Sequence, residues 1–143
     1  MIVNTAYIFM GGTPSPAVLP LWSDGKINTE YEFSDASFNS ETNTVNLKTG
    51  KGRAKFKNID CKKFSQLKFS AQSQTFTPST IHVIFYDSQQ SEIYQTEVTA
   101  PKVNDSAGEF IIQIPAQAKT AGITIEFKNS GRASINLFNA ELS

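Results

Sequence analysis

One cysteine, Cys61, is all that this chain of 143 residues carries. No internal disulfide can therefore form, and no multi-thiolate metal site can be assembled. Cys61 reads as a small buried residue and not as a nucleophile. Histidine is equally scarce: His82 stands alone, in the middle of an apolar run, and no serine lies in a GxSxG context. No stretch approaches the roughly 20 apolar residues of a membrane-crossing helix. The opening MIVNTAYIFMGGTPSPAVLPLW has neither the basic start nor the unbroken apolar core of a secretory signal. Net charge is missing too, since 13 basic and 13 acidic side chains cancel, which removes the overall argument for nucleic acid or an anionic membrane as partner. No window shows a sustained helical period. The expectations are no catalysis, no nucleic acid and no membrane insertion.

What is present favours strands. Eleven phenylalanines and four tyrosines accompany Ile, Val and Thr in short runs, a composition suited to pleated, half-buried surfaces. A mass of 15.7 kDa fits one domain. In TIHVIFYD, Ile81, Val83 and Phe85 share one face while His82, Ile84 and Tyr86 share the other. Both faces are partly apolar, as in an inner strand. DSQQSE then turns the chain, and EIYQTEV returns with Tyr94, Thr96 and Val98 on one side, which predicts a hairpin.

FIIQIPAQAKTAGITIEF poses a choice between helix and linked strands. Phe110, Ile112 and Ile114 alternate up to Pro115, and Ile123, Ile125 and Phe127 alternate after Gly122. The alanine-rich link is too short for a packed helix and predicts a compact, 3₁₀-like crossover. NSGR makes another turn. In ASINLFNAELS, Ile135 and Leu137 lie on one phase while Phe138, Ala140 and Leu142 lie on the other, which predicts a bulge or a final strand covered on both faces. TVNLK, GRAKFKNI and QLKFSAQ add further strands, the last with Leu67, Phe69 and Ala71 inward. From Thr44 onward this gives about eight antiparallel strands, the number of a jelly-roll β-sandwich.

The order DCKKFSQLKFSAQ, STIHVIFYDSQQSEI, GEFIIQIPAQAKTAGITIEF, SINLFNAEL resembles the galactose-binding-like, carbohydrate-binding-module type of jelly roll. The resemblance covers roughly the last two-thirds of the chain and includes no catalytic signature. Such modules occur beside glycoside hydrolases and in bacteriophage tail, baseplate and fibre proteins. The start at Met1, without a secretion signal or an attached enzyme, aligns the chain with the second setting. The implied function is a non-catalytic virion structural or adhesion component, forming homo-oligomers or meeting other virion proteins, and assembled in the host cytoplasm. The alternative is an extracellular, lectin-like module recognising a cell-surface glycan, such as a bacterial polysaccharide. The resemblance also implies a structural calcium, for which Asp35, Glu41 and Glu141 supply hard oxygen ligands if the first and last strands adjoin. Otherwise these three are ordinary surface charge, and no cofactor is expected.

Residues 1–40 fit the pattern poorly. Tyr7, Phe9, Val18, Leu19, Leu21 and Trp22 are apolar, but Gly11, Gly12, Pro14, Pro16 and Pro20 interrupt any regular element. They read as a strand and an extended arm, with residues 41–143 as the sandwich. The arm either covers one end of the sandwich or packs on a neighbour.

Ligand contacts must then come from aromatics and charge. A sugar ring stacks its apolar face on an aromatic, with amides taking the hydroxyls, and the same rings anchor protein interfaces. Trp22, Tyr31, Tyr86 and Tyr94 are the stacking candidates; Gln89, Gln90 and Gln95 are the polar ones. Eight basic residues against one acid, Asp60, lie between Lys48 and Lys68. Within that strip Arg53, Lys55 and Lys57 share one strand face opposite Ala54 and Phe56, with Lys62 and Lys63 at the next turn. The strip suits either a solvated outer face or an anionic partner. Asp87 with Glu92, and Glu30 with Glu32, read as surface carboxylates and not as the pair across a cleft that glycoside hydrolysis needs.

Overall fold

The alternations described above become an antiparallel sandwich in the computed structural model, which describes residues 17–143. In chain order the strands are β1 (Leu19–Pro20), β2 (Trp22–Ser23), β3 (Lys26–Ile27), β4 (Glu30–Ser34), β5 (Ala36–Asn39), β6 (Thr44–Leu47) and β7 (Arg53–Ile59). They continue as β8 (Gln66–Ser73), β9 (Ser79–Tyr86), β10 (Glu92–Ala100), β11 (Gly108–Gln113), β12 (Ile123–Asn129) and β13 (Ile135–Leu142). One sheet has the order β11-β8-β13-β6-β5, with β1 also paired to β13; the second has the order β10-β9-β12-β7-β4. Strands β2 and β3 form a small separate ribbon. The fold is all-β and jelly-roll-like, as the periodicity predicts.

The inward phases meet between the sheets. Leu67, Phe69, Ala71, Ile135 and Leu137 from the first sheet face Phe56, Ile81, Val83, Phe85, Ile125 and Phe127 from the second, all 2% exposed or less. An aromatic chain crosses this interior: Phe56 to Phe127 at 6.0 Å, Phe127 to Phe69 at 5.2 Å and Phe69 to Phe110 at 5.2 Å between centroids, the first two edge-to-face. Asn129 supplies a polar tie at one end of the core. Its Nδ2 donates to the carbonyls of Leu47, Lys48 and Ala133, and its Oδ1 accepts from Ser79 Oγ and Gly131 N. A fully buried amide is tolerated because both its ends are satisfied.

The alanine-rich link is the predicted 3₁₀ turn, Ala116–Ala118, and it carries the chain from β11 in one sheet to β12 in the other. Gly122 ends it at φ +79°, where a Cβ would meet Ser88 Cβ at 2.9 Å. The phase change in the last strand is a bulge between Leu137 and Asn139. Phe138 and Asn139 are both exposed there, so that Ala140 and Leu142 return to the core.

Residues 19–39 differ from the expected arm. Strand β1 pairs with β13, β4 forms one edge of the second sheet against β7, and β5 forms one edge of the first against β6. The sandwich therefore begins well before residue 41. Asp35, at φ 50°, lets the chain step from β4 in one sheet to β5 in the other. Short strands broken by left-handed residues such as Asp24, Gly25 and Asp35 hide the period that sequence reading relies on. Tyr7 and Phe9 lie outside the described residues, as do the other residues of the proposed arm up to position 16.

Candidate functional site

The outer face of the second sheet gathers most of the polar side chains picked out by the sequence. Register places Gln95, Ile84, Glu126, Lys55 and Glu32 in one row across β10, β9, β12, β7 and β4. The next row runs Glu97, His82, Lys128, Arg53 and Ser34. Tyr86 pairs with Thr124 at one end of the face. Cross-strand neighbours on one face lie close enough for their side chains to interact.

At the centre stands Glu126, fully buried although it points away from the core. Tyr86 Oη donates to its Oε1 at 2.5 Å, and Arg53 Nε lies 2.7 Å from its Oε2. The Arg53 contact is an ion pair off the donor axis, so Oε2 accepts no aligned hydrogen bond from the protein. A buried carboxylate held this way anchors both the Tyr86 phenol and the Arg53 guanidinium on the face. Lys55 Nζ sits 5.3 Å from the Tyr86 ring centroid. Burial, and then the hydrogen bond to Glu126, push the Tyr86 phenol up from its ordinary value of 10.0. That phenol stays protonated and remains a donor.

Other partners flank this centre. Gln90 Nε2 donates to Thr124 Oγ1 at 3.2 Å, and Gln95 Nε2 lies 2.6 Å from His82 Nδ1. His82 Nε2 is 3.8 Å from Glu97. Lys57 donates to Glu32 at 3.1 Å and thereby lowers the Glu32 carboxyl below its usual value. Tyr86, Gln90, Gln95, Arg53, Lys55 and Lys57 are thus brought together.

The remaining candidates lie elsewhere. Trp22 is 2% exposed, stacks on Phe56 at 5.4 Å and donates through Nε1 to the carbonyl of Asn43. It is a core residue, closed to a sugar. Tyr94 follows the core phase, opposite Phe85, and packs against that ring at 6.1 Å. Tyr31 sits opposite Phe56 at the sheet edge, 55% exposed and tilted on Phe33. Gln89 belongs to the turn after β9, its N–H donating to Asp87. Lys62 and Lys63 leave the strand face at the turn after β7, and Lys62 meets Asp60 at 3.8 Å.

The three oxygen ligands considered for calcium do not converge. Strand β6 separates β5, next to which Asp35 and Glu41 lie, from β13, which carries Glu141. Asp35 faces Lys51 at 3.9 Å, and Glu141 stands opposite Lys68. Among the described residues no group of three His, Cys, Asp or Glu side chains is positioned to hold a metal ion. Cys61 is buried, and burial pushes its thiol up to about 12.

Sequence reasoning missed Glu126 as a site residue. Its only signal is a carboxylate inside ITIEF, and that becomes informative only once β12 is known to be the middle strand.

No family model matches the chain, and no curated protein matches it. Solved structures do match. A variant of a family 29 carbohydrate-binding module is 13% identical, aligns over 89% of this chain and 91% of its own, and gives a TM-score of 0.61. A second variant, complexed with cellulohexaose, is 11% identical over 88% and 89% of the two chains, with a TM-score of 0.63. A family two carbohydrate esterase from Cellvibrio japonicus is 11% identical over 88% of this chain but 33% of its own, with a TM-score of 0.57. The chain has the β-sandwich of carbohydrate-binding modules, and at these identities the likeness concerns the fold.

That finding corrects the virion assignment. The matched structures named above are carbohydrate-binding modules and a carbohydrate esterase, and none of them is a tail, baseplate or fibre protein. The virion function, virion partners and virion localisation drawn from the resemblance fall with it.

Proposed function

We propose that the chain is a non-catalytic carbohydrate-binding module that holds a polysaccharide across the outer face of the second sheet. The observation that carries this reading is the Tyr86–Glu126–Arg53 network, a fixed donor and acceptor set beside an aromatic ring on an accessible sheet face. Sugar recognition needs an apolar surface for the ring face and fixed polar groups for the hydroxyls. Tyr86 supplies the first. Arg53, Gln95 and Lys55 supply the second, with the buried Glu126 holding Tyr86 and Arg53 in place. Several of the matched family 29 structures are variants at single charged residues made to probe ligand recognition, which fits a face where charge orients the sugar. In this reading His82 is not a general base, because it is engaged by Gln95 and Glu97.

Isothermal titration against a panel of β-glucans, mannans and bacterial surface polysaccharides tests the proposal. Saturable binding to at least one, weakened about tenfold by Tyr86→Ala through loss of ~1.4 kcal/mol of stacking, is expected. Absence of saturable binding across the panel overturns it.

A further inference from the structure

The opposite face of the sandwich carries a concavity that shares no residue with the site proposed above. It is a groove of about 380 Å³ on the outside of the first sheet, lined by Ser37, Asn39, Thr42, Thr44, Asn46, Gln74, Asn136 and Phe138. Every lining side chain is uncharged. Its volume falls within the roughly 300–1,000 Å³ of small-molecule sites.

Three amides of its lining are hydrogen-bonded to one another. Asn46 Nδ2 donates to Asn136 Oδ1 at 3.1 Å and to Gln74 Oε1 at 3.2 Å. That arrangement, with a further contact from Asn46 Nδ2 to the Ile135 carbonyl at 3.4 Å, engages the Asn46 NH2 and one lone pair on each acceptor oxygen. Asn46 Oδ1, Asn136 Nδ2 and Gln74 Nε2 are left without side-chain partners among the described residues, so the groove offers one oriented acceptor beside two oriented donors. Asn39 adds rigidity at the rim, its Oδ1 accepting from the N–H groups of Glu41 and Thr42. At one end the β13 bulge turns Phe138 outward, 36% exposed.

We infer that this groove is a second glycan-binding site, selective for an uncharged oligosaccharide. Phe138 offers an apolar surface to a sugar ring, while the amide triad meets hydroxyls, which both donate and accept. A phosphorylated or carboxylated ligand finds no cation here, which separates the groove from the Arg53–Lys55–Lys57 face. A smaller depression further along the same sheet contains Lys68, Glu109 and Glu141, so the uncharged character belongs to the groove and not to the whole face. The inference concerns different residues from the proposed main site, and its test separates the two.

Backbone and side-chain amide NMR spectra of the full chain, titrated with β-linked glucan and mannan hexasaccharides, provide that test. Shifts of the Asn46, Gln74 and Asn136 side-chain amides are expected. They should persist in Tyr86→Ala and disappear in Asn136→Ala and Phe138→Ala, with dispersed spectra confirming that each variant is folded. Raised ionic strength should change the groove affinity by less than about twofold. Groove amides that stay unmoved with both sugars overturn the inference, whatever happens at β9 and β12. Groove shifts that vanish in Tyr86→Ala overturn it as well, because they then report a single site.

Discussion

Replacing Tyr86 with phenylalanine keeps the ring and deletes one oxygen. In the wild type that oxygen donates to Glu126 Oε1 at 2.5 Å, and Glu126 has no exposed surface. A hydrogen bond to a charged acceptor is worth about 1.5–3 kcal/mol, and leaving the acceptor buried and unpaired incurs its desolvation in full. Arg53 remains as sole partner, and because its side chain is 44% exposed its attraction is screened and compensates little. Tyr86→Phe should therefore lose ~2 kcal/mol, which lowers the melting temperature by about 6 °C for a domain of this size. Sugar affinity should fall less than in Tyr86→Ala, since the stacking surface survives. Calorimetric melting and titration of the two variants side by side read both effects. A Tyr86→Phe variant that melts with the wild type refutes the reasoning, because the phenol would then not be what holds the buried carboxylate.

Trp22→Ala should destabilise by about 3–5 kcal/mol, the usual range for emptying a large aromatic site, while a variant still folded at low urea should bind sugar as the wild type does; lost binding in a folded variant would return Trp22 to the site. Asn129→Ala strips several buried hydrogen bonds at the junction of the two sheets and should lose about 3 kcal/mol in urea unfolding, against a near-neutral result if that junction is wet. Cys61 should resist alkylation in the native state and react once urea unfolds the chain. Its folded thiol keeps its proton up to about 12 whereas the reference value is 9.0, so above pH 9 the unfolded state binds fewer protons. Stability from this group is level below pH 9 and falls between pH 9 and 12. Denaturation midpoints that do not decline across that window count against the buried assignment.

The later strands were legible because their alternation is regular. The run from Ile81 to Phe85 and the paired isoleucine phases around the alanine link translate directly into β9, β11 and β12. Even the β13 bulge is written in the shift of inward phase between Leu137 and Ala140. Residues 19–39 were not legible, since β1, β2 and β3 are only two residues long and left-handed residues break the rest. The site was half legible. Arg53, Lys55 and Lys57 share a face by simple alternation, but only the pairing of β12 with both β7 and β9 carries that face to Tyr86. Trp22 misled because composition alone does not say whether an indole N–H has an internal acceptor; here Asn43 provides one. The groove amides were invisible for a related reason: Asn46 and Asn136 are 90 positions apart and meet only through sheet register.

The position of β13 bears on how the chain reaches this state. It follows every other described strand in the sequence, yet it is inserted between β8 and β6 and also receives β1. Until it arrives, β8 and β6 present open edges with no native neighbour on that side. A nascent or truncated chain lacking it exposes two ready templates for pairing with another molecule. Closure of the first sheet is thus a late, long-range step, and its failure leads to aggregates more readily than to a smaller folded domain.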